Sequence, residues 1–225
     1  MADVLLEGVW KVYRDGYEVV ALRDINLFVE GGEFVAVMGP SGSGKTTLLN
    51  VISGLDRPTR GRVLVRGMDL TAMGEDELAR FRLSSIGIVF QFYNLLPEMT
   101  CAENVALPLI ARGLNVRAAI EEALRMLEKV GLADRAHITP DRLSGGEQQR
   151  CAVVRALATS PSLILADEPT GNLDSRSKRE VMELLRNVNE DGVTVIVVTH
   201  DPEVASYSRR VIRLRDGSIV EDRAK

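Results

Sequence analysis

The sequence predicts an α/β fold: a parallel-sheet core, an antiparallel β subdomain at its N-terminal side and an α-helical subdomain inserted within it. Three observations point there. Short β-branched apolar runs, such as Val193-Thr194-Val195-Ile196-Val197-Val198, alternate with helical patterns, as the buried strands of a parallel sheet do. One of these runs, residues 34–38, passes through a glycine-rich stretch directly into a helix. Between residues 93 and 142 strand signals vanish and helical patterns dominate.

Taken in order, residues 4–30 read as two strands joined by a turn at Arg14-Asp15-Gly16. In the second, Ile25, Leu27 and Val29 share one face, and Asp24 and Asn26 the other. Tyr13 closes the first strand. Its ring can stack on a nucleobase or plug a sheet edge, and position alone favours the plug.

The stretch Gly39-Pro40-Ser41-Gly42-Ser43-Gly44-Lys45-Thr46-Thr47 fits G-x-x-x-x-G-K-[ST] at Gly39, Gly44, Lys45 and Thr46, between a strand and a helix. Glycines 39, 42 and 44 let successive N–H groups turn inward as an anion nest. The helix dipole points its positive end at the same spot. Lys45 supplies a cation for β- and γ-phosphates, and the Thr46 hydroxyl is placed for Mg²⁺. This predicts a nucleoside-triphosphate site.

A turn over residues 54–61 leads to Arg62-Val63-Leu64-Val65-Arg66, which alternates like a half-exposed strand. Residues 75–83 read as a short helix, and Ile86-Gly87-Ile88-Val89-Phe90 as a buried strand ending at Gln91. A polar side chain there reaches a ligand in an α/β fold, or simply faces solvent. In the helical region, Thr100 caps a helix that Pro108 is expected to interrupt. Asn115 caps another, whose Ala119, Ile120, Ala123, Leu124, Leu127 and Val130 form one apolar stripe. Leu95, Leu96, Pro97 and Met99 suit an exposed contact surface and core packing equally.

Leu143-Ser144-Gly145-Gly146-Glu147-Gln148-Gln149-Arg150 opens a further helix. Ser144 is its N-cap, Glu147 completes a capping box, and two glycines free backbone amides. A second anion-binding helix terminus and an ordinary cap both fit this spacing. Leu163-Ile164-Leu165-Ala166-Asp167-Glu168-Pro169 is a buried strand ending in two carboxylates. Asp167 is placed to hold Mg²⁺ through water, and Glu168, on the other side, to deprotonate an attacking water. Pro169 is expected to keep Glu168 extended. Two acids closing an apolar strand are too costly to bury without a role.

Gly171-Asn172-Leu173-Asp174 is a turn, followed by an amphipathic helix carrying Val181, Leu184, Leu185 and Val188. The last buried strand ends at Thr199-His200-Asp201. His200 then shares a sheet edge with Glu168 and can meet a γ-phosphate or orient the water. Residues 210–214 and 218–220 flank Arg215-Asp216-Gly217 as a hairpin.

At 225 residues the chain fits one domain over 1–225, with a core from 1–92 and 160–225 and the helical subdomain at 93–159. Its 28 basic and 32 acidic residues give a net charge of −4, so no basic field points to nucleic acid. Met1-Ala2-Asp3-Val4 has no positive n-region, and no apolar run is long enough to span a bilayer. The two cysteines, Cys101 and Cys151, form no C-x-x-C pair and suit a reducing cytosol.

With these motifs in this order, the chain resembles the nucleotide-binding subunits of ABC transporters over essentially its whole length. The resemblance rests on residues 39–46 (Walker A), Gln91 (Q-loop), 143–150 (an LSGGQ-type signature), 163–168 (Walker B and glutamate), 171–174 (D-loop) and His200 (switch histidine). Residues 166–174 and 90–95 further resemble the MacB/LolD-type branch, which holds lipoprotein-releasing, macrolide-exporting and FtsE-like subunits. The resemblance implies the ABC ATPase fold on a P-loop NTPase core, with ATP and Mg²⁺ as ligands. It implies that Tyr13 stacks on adenine, and that residues 39–47 hold the phosphates. Leu143, Ser144, Gly145, Gly146 and Glu147 would meet the γ-phosphate of ATP held by a second copy, in an ATP-dependent head-to-tail homodimer. Gln91 would join Thr46 and Asp167 at Mg²⁺, Glu168, His200 and Lys45 would be catalytic, and Asn172 and Asp174 would form the D-loop. The surface around 91–105 would dock a transmembrane permease subunit at the cytoplasmic face of the membrane. Two departures stand out: Glu147 replaces the usual glutamine, and Asn172 stands where many relatives have alanine. Two alternatives are an FtsE-like regulatory ATPase and a cytosolic ABC ATPase acting on nucleic acid. The latter lacks its expected long coiled coil, tandem domain or positive charge.

Overall fold

The computed structural model describes residues 2–224; Met1 and Lys225, the ends of the expected 1–225 domain, lie outside the described residues. Two sheets are stacked around α1, the helix that follows the glycine loop. The first is antiparallel and contains β1 (Ala2–Asp15), β2 (Tyr17–Glu30), β4 (Arg60–Val65) and β5 (Met68–Asp69), in the order β2-β1-β4-β5. The expected hairpin of residues 4–30 is present, and Ile25, Leu27 and Val29 point into the core as predicted.

The second sheet runs β10-β9-β3-β8-β7-β6. It comprises β3 (Phe34–Met38), β6 (Ile86–Val89), β7 (Leu163–Asp167), β8 (Thr194–Thr199), β9 (Arg210–Arg215) and β10 (Ser218–Ala224). All neighbours pair in parallel except the β9–β10 hairpin. Parallel strands are covered on both faces, which is why β3 and β8 read as unbroken apolar runs and are buried almost throughout. The parallel arrangement also gathers the carboxyl ends of β3, β7 and β8 along one edge, where ligands bind in open α/β sheets.

The helices are α1 (Lys45–Ile52), α2 (Glu75–Ser85), α3 (Cys101–Ala111), α4 (Val116–Lys129), α5 (Gly145–Leu157), α6 (Ser175–Glu190) and α7 (Pro202–Ser206). One core cluster joins the two sheets and α1 through Leu6, Val37, Leu48, Ile52 and Leu165. A second, on the other face of the parallel sheet, packs α6 through Val181 and Leu185. A third binds α3, α4 and α5 together through Val105, Leu127 and Val154. No strand falls between β6 and β7 among the described residues.

Thr100 and Asn115 cap α3 and α4 as expected, accepting from the amides of Glu103 (3.3 Å) and Ala118 (2.9 Å). Pro108 does not interrupt α3, which continues through it to Ala111. Only one turn follows the proline, and Leu109 buries its side chain in the helical core. The Arg112 amide closes that turn on the carbonyls of Pro108 (3.1 Å) and Leu109 (3.2 Å). Packing here outweighs the single backbone bond that a proline removes.

Candidate ATP site

The loop between β3 and α1 is shaped by close approach as much as by glycine freedom. Gly44 sits at φ +101°, and a Cβ there would stand 2.3 Å from the Ala21 carbonyl oxygen. Gly39 has no such dihedral; a Cβ on it would strike the Leu214 carbonyl at 2.2 Å. No side chain caps α1, and the amides of Gly42, Gly44, Lys45 and Thr46 have no backbone acceptor among the described residues. Unpaired amides converging on a helix N-terminus are an anion receptor. Lys45 is buried against the loop, its Nζ donating to the carbonyls of Gly39 and Pro40 at 2.9 Å each.

These residues open onto a cavity of about 590 Å³, lined on the loop side by Ser41, Gly42, Gly44, Lys45, Thr46 and Thr47. Facing them are Gln91 after β6, Asp167 and Glu168 at the end of β7, and His200 after β8. The structure thus brings together six of the nine loop residues and all four distant polar residues singled out in the sequence. Burial pushes the Asp167 carboxyl above its ordinary range; Glu168 adds to this, while the Thr46 hydroxyl and Lys45 pull the other way. Thr46, Gln91 and Asp167 offer a hydroxyl, an amide and a carboxylate, the hard oxygen donors that suit Mg²⁺.

Glu168 departs from two expectations. It is not extended but left-handed, at φ +43°. It also does not turn to the side opposite Asp167; both carboxylates line the same cavity. Both differences have one cause. The Glu168 amide still bonds the Val198 carbonyl (2.9 Å), while its own carbonyl accepts from Gly171 (3.1 Å), so the chain turns sharply at the strand end. That turn breaks the side-to-side alternation and overrides the bias from Pro169. The Glu168 side chain, 15% exposed, pairs through Oε1 with His200 Nδ1 at 2.7 Å. Its Oε2 accepts from the Thr199 hydroxyl at 3.2 Å.

The helix that begins at Gly145 lies outside this cavity. Its Ser144 is the N-cap predicted, and Glu147 returns the bond: Oε2 accepts from the Ser144 amide (2.8 Å) and hydroxyl (2.9 Å). Arg135 Nε donates to the other Glu147 oxygen at 2.9 Å. The Ser144 amide and then Arg135 hold the Glu147 carboxyl below its usual range. Leu143 is buried, and Gly146 packs so closely on α6 that a Cβ would stand 2.4 Å from Ser177 Oγ. Asp174 caps α6, accepting from the amides of Arg176 (2.9 Å) and Ser177 (3.0 Å), while Asn172 is exposed. Tyr13 stands beside the cavity rather than in its lining: its cross-strand partner Val19 and its neighbour Thr47 are lining residues.

Several contacting residues escaped the sequence reading. Arg135 had no signal beyond its charge. Gln149 Nε2 reaches the Phe90 carbonyl (3.3 Å), and Arg155 grips the carbonyls of Tyr93 (2.9 Å) and Asn94, just after Gln91. Their position on the buried flank of α5, within a charged and polar helix, is the one pattern that could have marked them.

The ABC transporter family matches residues 22–171. The chain belongs to that family. An ABC transporter ATP-binding protein from Thermotoga maritima is 50% identical to it, over 95% of this chain and 92% of the relative. A macrolide export ATP-binding/permease protein MacB from Rhodopirellula baltica is 48% identical over 97% of this chain, which spans 33% of that longer relative. The ATP-binding cassette MJ0796, solved as a dimer in a post-hydrolysis state bound to ADP and Pi, superposes with a TM-score of 0.92. It is 44% identical, with 98% of each chain covered. This ABC protein is therefore an ATP-binding, ATP-hydrolysing transporter subunit. No helix among its described residues is long and apolar enough to cross a membrane.

Proposed function

We propose that this ABC ATPase works as a head-to-tail pair, each ATP lying between the glycine loop of one copy and the Ser144 helix of the other. One observation carries the reading: Lys45, Asp167, Glu168 and His200 meet at one cavity, while the signature residues 143–147 of the same chain lie outside it. The dimeric state of the MJ0796 cassette supports pairing of two copies. In the proposed pair, residues 39–47 hold the phosphates, and Tyr13 stacks on the base. Leu143, Ser144, Gly145, Gly146 and Glu147 reach the γ-phosphate from the opposite copy, with Asn172 and Asp174 at the seam between copies.

Thr46, Gln91 and, through water, Asp167 would hold Mg²⁺, which when bound offsets phosphate charge. Glu168 takes the proton from the attacking water. The water oxygen then bonds to the γ-phosphorus as the bond to the β–γ bridging oxygen breaks, giving ADP and phosphate. His200 fixes the Glu168 carboxylate through the 2.7 Å contact. Lys45, the loop amides and the opposing helix dipole stabilise the negative charge on the transferring group.

The pair drives a transmembrane permease from the cytoplasmic face, for export or lipoprotein extraction. The fused permease in MacB-named relatives supports this. The docking surface is the segment around 91–105, beside an apolar groove of about 460 Å³ lined by Leu83, Ile88, Phe90, Leu107 and Pro108.

Glu168→Gln tests the reading. Turnover should fall on the order of 10²- to 10⁴-fold, with ATP binding intact and a dimer accumulating in size-exclusion runs with MgATP. A variant that hydrolyses at the wild-type rate, or stays monomeric, overturns it.

A further inference from the structure

Lys11, Tyr13 and Asp56 form a closed set of contacts beside the ATP cavity. The Tyr13 hydroxyl donates to Asp56 Oδ2 at 2.7 Å. Lys11 Nζ donates to Asp56 Oδ1 at 2.5 Å and to the Arg57 carbonyl at 2.9 Å. The same ammonium lies 4.8 Å from the centroid of the Tyr13 ring, within the range of a cation–π contact. Lys11 and Asp56 are largely buried, at 13% and 27% side-chain exposure, whereas Tyr13 is 38% exposed. Burial works to raise the Asp56 carboxyl, but the bonds from Lys11 and Tyr13 outweigh it and hold the group ionised, below its ordinary range.

The register places this set at the base end of the cavity. Tyr13 lies opposite Val19 in the β1–β2 ladder, and Val19 and Thr47, both near the ring, line the cavity. Val19, Val20 and Ala21 present side chains with no hydrogen-bonding edge, so recognition at this end is by π surface and apolar contact. A tyrosine ring on a two-stranded ladder is free to turn about χ1 and χ2. A ring that is tethered at its hydroxyl and covered on one face has a single face left for a base, and it is held ready before the base arrives. The ammonium also draws electron density from the ring, which strengthens its stacking on an electron-rich purine.

We infer that Lys11 and Asp56 are positioning residues for nucleobase binding, fixing Tyr13 as a one-faced stacking platform. The inference rests on the proposed stacking role of Tyr13, and goes beyond it by assigning the support. It explains why a lysine and an aspartate 45 residues apart converge on the Tyr13 ring and hydroxyl.

The test compares ADP with inorganic pyrophosphate, which shares the phosphates but has no base. Binding of ADP is measured by calorimetry on the full chain, and pyrophosphate by competition against ADP. Tyr13→Leu should weaken ADP by about ten- to a hundredfold, the range of one lost base–aromatic stack. Lys11→Met should weaken it by about three- to tenfold, and Asp56→Asn by a similar factor, each with pyrophosphate unchanged. Circular dichroism melts identify any variant that loses the fold; Lys11→Met, which keeps the aliphatic stem, carries the test if Asp56→Asn unfolds. If Tyr13→Leu leaves ADP binding unchanged, the stacking role itself fails. If Tyr13→Leu weakens ADP but Lys11→Met does not, the stack stands and the support is overturned. An equal loss of pyrophosphate in Lys11→Met also overturns it, by showing a general charge effect.

Discussion

The N-termini of α1 and α5 are both glycine-built, yet they are prepared for an anion in opposite ways. At α1 nothing in the chain caps the helix: Gly44 stands in the N-cap position without a side chain, and no acid occupies the first turn. At α5 the helix is already closed by its own Ser144 and Glu147, leaving the amides of Gly145 and Gly146 unbonded. The first end is a receptor sufficient for phosphate on its own. The second carries a carboxylate at the place where an anion would approach, with Arg135 set against it. A helix end of that kind gains little from a free anion and more from one that is already fixed to another surface. In the proposed head-to-tail pair, this difference would give an order of events, nucleotide seating first at α1 and α5 of a second copy joining afterwards.

The largest expected effect lies on the α1 side. Lys45→Ala should weaken ATP binding about ten- to a hundredfold, because a charge-assisted contact contributes about 1.5–3 kcal/mol. Nucleotide titration of the single variant measures this directly, and an unchanged affinity would break the claim that α1 is the self-sufficient end. On the α5 side the effect should appear in pairing and not in binding. Arg135→Met leaves the Glu147 carboxylate unbalanced near a triphosphate, an effect of about 1 kcal/mol at a partly exposed site. On a Glu168→Gln background it should raise the ATP concentration needed for dimerisation by about three- to tenfold. Adding Glu147→Gln, which removes the carboxylate's charge, should restore it. A double variant no better than Arg135→Met alone would dismiss the charge argument.

The smallest effect is on stability against pH. Glu147 titrates below its ordinary value in the folded chain, chiefly because the Ser144 amide and Arg135 bond its charged form. Its contribution is therefore complete above the unfolded value near 4.5 and is lost as pH falls through the lower folded value. Glu147→Gln should lower the melting temperature slightly at neutral pH and reduce its decline below about pH 4.5. A pH profile parallel to the parent would show that the carboxylate is not held as described.

The two ends also differ in how much of them was legible in the sequence. The α1 site was readable because its chemistry is local: strand, loop, lysine and helix are contiguous, and β3 and β8 announce their burial by unbroken apolar runs. Ser144 and Glu147 were legible for the same reason, three residues apart on one turn. The left-handed turn at Glu168 was not. The local rule from Pro169 pointed to an extended residue, and the bond from Glu168 to Val198 that overturns it joins two strands 30 residues apart. Pro108 misled in the same way, since its helix is held by a core assembled from three separate segments. Arg135 and the Lys11–Asp56 pair had no signal beyond their charge. An arginine or lysine destined for a buried contact looks like any surface cation until a distant segment is folded against it.

Arg155 and Gln149 both reach from α5 to the backbone just before and after Gln91. Three carbonyls of that loop, at Phe90, Tyr93 and Asn94, are thereby moored to a rigid rod whose other tip is Ser144. Two of the moored residues, Tyr93 and Asn94, hold left-handed dihedrals. On the proposed docking at residues 91–105, a push there would reach Ser144 through the helix backbone to which this loop is bonded.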